Sequence, residues 1–146
     1  MSPSIEVQTR EEIEALHEFF VEWFSGRLAR SAFEQQFLPR FAEALVFVPP
    51  SGTRLGLRDL ASSVEQGHAS NPDFRIAIRN VRVHLDLPGH VLATYEEWQR
   101  NARASTPPDN GRVATVVFEK GDRLRWLHIH ETWVPPGRMA AGPYDF

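Results

Sequence analysis

The stretch from Arg123 to Val134, RLRWLHIHETWV, concentrates the side chains best suited to chemistry: two histidines, a carboxylate beside them and two indoles. Its length and its aromatic and β-branched content predict a strand whose side chains alternate between two faces. One face would carry Trp126, His128, His130 and Thr132, and the other Leu127, Ile129, Glu131 and Trp133. Neither is the plain polar face of a strand with one side in water. Both sides are therefore expected to meet something other than solvent. Residues two apart on a strand point the same way, so His128 and His130 could present two imidazoles to one metal ion. A metal site needs three or four protein ligands, and His84 and His90 are the only other strand histidines. Packing and hydrogen bonding in a subunit interface beside Trp126 is the simpler role for both rings, and no metal is expected.

The chain has no cysteine, which excludes disulfides, thiolate metal sites and a cysteine nucleophile. A nucleophile elbow, a phosphate-cradling glycine loop and a dinucleotide fingerprint are likewise missing, and no cofactor is expected. At 146 residues with 42% hydrophobic content, one domain with a real core is expected over 1–146. The formal charge of −3, from sixteen basic and nineteen acidic residues, carries no basic block that would suit nucleic acid or an anionic membrane. The N-terminal stretch bears acids where a secretory signal needs a basic end and an apolar run, and no segment reaches a membrane span. A cytoplasmic protein is the expectation.

The elements that would position these groups follow in order. Thr9 and Glu12 have the form of a capping box, and Ile13, Leu16, His17, Phe20, Trp23 and Phe24 then recur at helical spacing until Gly26. Ser31 and Glu34 repeat the capping pattern before the stripe Phe33, Phe37 and Phe41, which Pro39 interrupts. Glu43 to Val48 reads as a first strand stopped by Pro49 and Pro50. Leu57, Leu60, Ala61 and Val64 predict another helix, ended by Gly67. From Phe74 the chain is strand after strand. Phe74, Ile76 and Ile78 alternate, and then the phase shifts to Val81, Val83 and Leu85, which predicts a β-bulge near Asn80. Val91 to Arg100, Arg112 to Lys120 and the Arg123–Val134 segment follow through short connections, and such connections mean antiparallel pairing. The core is expected over about 9–134, with 135–146 as surface coil. His17 and His68 are given no role. The predicted class is α+β: N-terminal helices packed on a strongly bent, mostly antiparallel sheet.

With those elements in place, the sequence resembles the nuclear transport factor 2-like superfamily, the cystatin-like α+β cone that also houses SnoaL-like polyketide cyclases and ketosteroid isomerases. Within it the chain is most similar to the association domain of calcium/calmodulin-dependent protein kinase II. Asn80 to Leu85 (NVRVHL), Val117 to Arg123, and above all Trp126 to His130 (WLHIH) with Glu131-Thr132 and Pro135-Pro136-Gly137 carry the likeness. It spans roughly residues 9 to 137. The resemblance implies a pocket between helices and sheet, and subunits that associate through the sheet's outer face. In the family register Leu92, Thr94, Glu96 and Trp98 face the pocket together with Leu127, Ile129, Glu131 and Trp133. Thr115 and Glu131 stand where the family carries deep basic side chains, so an anion-binding pocket of that type is not expected.

In that register Glu96 and Glu131 share one aromatic-lined cavity, where desolvation and mutual repulsion would raise a carboxyl pKa toward the range of a general base. The alternative is that each pairs with an arginine such as Arg75, Arg79 or Arg100. Trp98, Thr115, Leu127, Ile129 and Trp133 would contact a ligand. The opposite parity carries Val91, Ala93, Tyr95, Ala114, Val116, Phe118 and Trp126, an apolar patch too large to leave in water. Tyr95, Val116, Phe118, Trp126, His128 and His130 are thus expected in a homodimer or higher homo-oligomer interface. The expected function is a homo-oligomeric module that binds an apolar or aromatic small molecule. The alternatives are a SnoaL-like isomerase, cyclase or hydrolase using Glu96 or Glu131 as base, or a pure oligomerisation domain.

Overall fold

The structure, a computed structural model, describes residues 3–146. Helix α1 (Ile5–Phe24) starts earlier than the capping pattern predicts: the Ser4 hydroxyl accepts from the Val7 amide at 3.2 Å and serves as its N-cap. Thr9 is buried inside the helix. Glu12 does not close a capping box. It accepts instead from the Trp126 indole at 2.9 Å and the Arg40 guanidinium at 2.8 Å. The predicted second helix is only a π-helical turn (Phe33–Phe37) and a 3-10 turn (Leu38–Arg40), since Pro39 supplies no backbone donor. Strands β1 (Phe41–Val48) and β2 (Leu55–Gly56) precede helix α2 (Leu57–Gln66). Strands β3 (Arg75–Asp86), β4 (His90–Arg100), β5 (Asn110–Glu119) and β6 (Arg125–Trp133) complete the sheet.

The six strands run in the order β2-β1-β6-β5-β4-β3 in an open mixed sheet; β1 and β6 pair in parallel and every other neighbour is antiparallel. The predicted bulge is present. The β3–β4 register shifts between Arg79 and Arg82, and Asn80 adopts φ +56°, a left-handed conformation that asparagine tolerates better than most residues. A second bulge, which the alternation did not predict, lies in β6. Val117 pairs with His128 but Phe118 pairs with Trp126, which leaves Leu127 as the extra residue. Side-chain parity flips there, so Trp126 lies on the same face as Ile129 and Glu131.

This flip, together with the parity of β4 and β5, overturns the predicted faces. Val91, Ala93, Tyr95, Ala114, Val116, Phe118 and Trp126 are at most 2% exposed and belong to the core with α1. The apolar patch that seemed to need a partner subunit is covered by the chain's own helix. Tyr95, Val116, Phe118 and Trp126 are therefore not interface residues. The physical reason is direct: α1 buries an aromatic stripe, and only the apolar parity of the strands can oppose it without stranding polar groups. Leu92, Thr94, Glu96, Trp98 and Thr115 fall on the outer face.

The tail also departs from the predicted coil. Residues Pro136–Ala141 form helix α3, and with the segment after it they cover Trp98, which is fully buried. Tyr144 meets the indole edge-on at 5.6 Å between centroids, and the Arg138 guanidinium lies over it at 5.6 Å. Gly111, opposite Trp98 on β5, has no room for a side chain, since a Cβ there would come within 2.5 Å of the indole. Gly111→Ala is expected to destabilise the fold by about 1–3 kcal/mol through this overpacking, measured by urea denaturation; an unchanged midpoint would show that the tail does not press Trp98 onto the sheet.

Candidate functional site

A cavity of about 210 Å³ opens between α1, α2 and the sheet. Phe20 and Phe24 from α1, Leu60 from α2, Phe41 and Phe47 from β1 and Phe74 form its apolar walls. Its floor is charged. Register places the floor groups together: Glu97 lies directly opposite Arg112, Tyr95 opposite Ala114, and Ala114 opposite Glu131 on the next strand. The parity that is apolar under α1 becomes polar toward the mouth, so Tyr95, Glu97 and Gln99 follow one another along β4.

His17 joins this floor from α1. Its Nδ1 is 2.6 Å from the Ile13 carbonyl and its Nε2 3.1 Å from Glu97 Oε1. Both partners are acceptors, so the doubly protonated imidazolium satisfies both contacts. Burial alone would discourage the charge, but the Glu97 carboxylate and the Ile13 carbonyl outweigh it and raise the His17 pKa above 6.5. Burial also opposes ionisation of Glu97, yet the charge and hydrogen bond of His17, with Arg112 and Gln99, pull it down to about 2. Gln99 Nε2 donates to Glu97 Oε2 at 2.5 Å.

Glu131 behaves in the opposite way. It is 6% exposed and accepts from Arg112 Nη1 at 3.1 Å. Burial and the neighbouring Glu97 charge outweigh Arg112 and push its pKa up to about 7. Two carboxylates in one cavity thus separate into a permanently ionised one and one that exchanges a proton near neutrality. Arg112 is held by Glu131 and by Asn110 Oδ1 at 3.2 Å, although its Nε is buried without an acceptor. The Tyr95 hydroxyl has no hydrogen-bond partner among the described residues, and burial raises its pKa well above the ordinary value.

Of the site residues named from sequence, Ile129 and Glu131 line the cavity, and so does Tyr95, which was expected at an interface. Glu96 does not: it accepts from Asn80, Trp98 and Arg138 on the outer face. Burial is the largest influence on it, but those three donors together lower its pKa, so the proposed second base is absent from the cavity. Trp98 lies beneath the tail, Thr115 pairs with His130 on the outer face, and Leu127 is the bulge residue. Trp133 is partly exposed, stacked under Arg112 at 4.8 Å outside the cavity. His128 and His130 do sit on the outer face, ring centroids 6.4 Å apart. Among the described residues no three His, Asp or Glu side chains gather as a metal site. His17, Glu97, Gln99 and Arg112 were missed. The signal was present, because His17 lies within the apolar stripe of α1, and Glu97, Gln99 and Arg112 extend the apolar parities of β4 and β5.

No family model matches the chain. A curated Arabidopsis thaliana protein named "Probable sucrose-phosphatase 2" is 25% identical over 122 residues, covering 79% of this chain, which spans only 28% of that relative's length. Among solved structures, an NTF-2 like protein of unknown function from Pseudomonas aeruginosa has a TM-score of 0.78 at 26% identity, with 88% of this chain and 99% of that one covered. The CaMKII hub homology domain of Chlamydomonas reinhardtii has a TM-score of 0.68 at 14% identity, covering 90% of this chain and all of that one. No helix of the described residues is long and apolar enough to cross a membrane.

The two carboxylates give opposite pH dependences. Glu97, depressed to about 2, stabilises the fold above its ordinary pKa, and that contribution is lost as pH falls through about 4.5 toward 2. Glu131, raised to about 7, holds a proton that the unfolded chain has released, so stability falls as pH rises from about 4.5 to 7. Glu131→Gln should remove that second decline. Urea unfolding at about pH 5 and about pH 8 should show the variant gaining relative to wild type at the higher pH, and a constant difference would rule out the raised carboxyl. The solved neighbours are nuclear transport factor 2-like proteins, and this chain takes the nuclear transport factor 2-like fold.

Proposed function

We propose that the chain is a small-molecule-binding module of the nuclear transport factor 2-like type, which takes an apolar or aromatic compound carrying one polar group. The observation behind it is the contrast within one cavity: ring-lined walls above a floor of Tyr95, Glu97, Arg112 and Glu131. Apolar walls supply binding energy and a few convergent polar groups fix orientation, as in most ligand sites. Glu97 and His17 are saturated by each other and by Gln99. The Tyr95 hydroxyl and the second oxygen of Glu131 keep hydrogen-bonding capacity for a ligand.

A second reading, proton-transfer catalysis, is favoured by the Glu131 carboxyl, which changes protonation near neutral pH. Glu131 would accept a proton from a carbon acid bound against the rings. Indole and 4-ethylphenol are suitable probes of the cavity. Binding followed by NMR should perturb the signals of Phe20 and Tyr95 and be abolished by Leu60→Trp, which fills the space. Retention of binding in that variant would move the site elsewhere. If Glu131 is a base, deuterium exchange at the α-carbon of a bound aryl ketone should vanish in Glu131→Gln while the ketone still binds.

Self-association would use the outer face, where His128, His130, Thr115 and Val117 lie. The hub homology name of one structural neighbour supports this, not the buried Trp126. Sedimentation should show at least a dimer that Val117→Asp dissociates; a native monomer, or an unaltered variant oligomer, would exclude that face.

A further inference from the structure

On the side of the sheet opposite the cavity, a groove of about 500 Å³ lies at the end of β4 beside the 101–109 loop. It is lined by Arg75, Arg100 and Arg103, with Asp73 and Asn101. Arg75 and Arg100 are directly opposed across β3 and β4. Like charges in that position repel unless something lies between them. The acids that sequence had offered as partners are engaged elsewhere, Glu96 by Arg138 and Glu131 by Arg112. Among the described residues neither Arg75 nor Arg100 has an aspartate or glutamate side chain within 4.0 Å.

Arg75 is largely unspent, whereas Arg100 is engaged by Phe146, whose ring lies 6.0 Å from its guanidinium. Arg75 Nη1 reaches only the Phe74 carbonyl at 3.2 Å. Arg100 donates to an oxygen of Phe146, and its Nε is buried without an acceptor. Arg103 donates to the Ser70 carbonyl at 2.9 Å and lies 3.8 Å from Asp73, the one carboxylate of the lining. Asp109 is turned to the Asn101 amide at 2.9 Å.

The backbone carrying these groups is fixed. Asn101 takes φ +59°, its side chain donates to the Asp73 carbonyl at 2.8 Å, and Asn71 donates to the Asn101 carbonyl at 2.7 Å. A left-handed residue other than glycine, tied down on both sides, is the kind of local strain found where side chains must be held in place.

We propose that this groove binds the phosphate of a small phosphate monoester. Three guanidinium groups converge on a lining that holds one carboxylate side chain, and a phosphate would supply the acceptors that Arg75 above all lacks. The planar guanidinium fork matches phosphate oxygens two at a time. The groove is open and polar, so it holds the phosphate and leaves the organic part in solvent. The site is independent of the cavity, from which it is separated by the sheet.

Calorimetric titration with inorganic phosphate and with glycerol 3-phosphate, at constant ionic strength in chloride, tests this. Both should bind saturably. Arg75→Gln and Arg103→Gln, both on exposed side chains, should each weaken binding about tenfold, the worth of one charge-assisted hydrogen bond. Arg58→Gln, on the exposed side of α2, should leave it unchanged, and circular dichroism should show every variant folded. Absence of saturable binding at millimolar concentration overturns the proposal. So does wild-type affinity in the Arg75→Gln/Arg103→Gln double variant, equal weakening by Arg58→Gln, or binding of inorganic phosphate without glycerol 3-phosphate.

Discussion

The buried ion pair between His17 and Glu97 joins α1 to the sheet within a largely apolar interface. Removing two charges from water is costly, and their attraction offsets the cost only when every remaining hydrogen-bonding position is filled. Here it is filled: the Ile13 carbonyl takes the other imidazole nitrogen and Gln99 takes the other carboxylate oxygen. Because the pair is complete, it stays charged, and its carboxylate makes a second ionisation beside it unfavourable. Its own burial and that neighbouring charge together keep the proton on Glu131, in the cavity floor, to near neutrality even with Arg112 alongside.

Around that floor the fold is a negotiation between two periodicities. Helix α1 offers an apolar stripe every three or four residues, and the strands offer one face every second residue. Strands β4 and β5 meet the helix with their apolar parity. Strand β6 can do so along its length only by dropping Leu127 from the ladder, which lets Trp126 and Glu131 share a side. Trp126 then reaches Glu12 on α1, a contact that ties the start of the last strand to the first helix just as His17 ties β4 to it. The outer face, left without helices at one end, is closed by the tail over Trp98.

That arrangement separates three regions by chemistry. Under the helices lies a cavity whose floor holds a carboxyl raised toward neutrality. The outer face is mixed and histidine-bearing, with the unclaimed surface that self-association would need. Where the start of β3 meets the end of β4, three arginines and a single aspartate form a third environment, cationic and wet. The same fold carries many activities, so the likeness to hub homology and uncharacterised proteins establishes the scaffold, whereas these local environments carry the functional argument.

Much of the scaffold was legible in the chain. Apolar recurrence located α1, α2 and the four long strands, and the phase change at Asn80 gave the first bulge, because burial periodicity is a local property. The faces were not. Assigning β4 by its family register placed Glu96 and Trp98 in the cavity, whereas the plain alternation of Val91, Ala93 and Tyr95 pointed to Glu97 and Gln99. The bulge at Leu127 left no phase change that the sequence could show, since aromatic or apolar residues lie on both sides of it. Sequence by itself determined which segments are helix or strand and which residues must leave water, for these follow from propensity and hydrophobic spacing. Only the tertiary structure decided that His17 meets Glu97 and that Glu131 is the carboxyl kept protonated, because both depend on groups 80 and 34 residues apart being brought into one dry space.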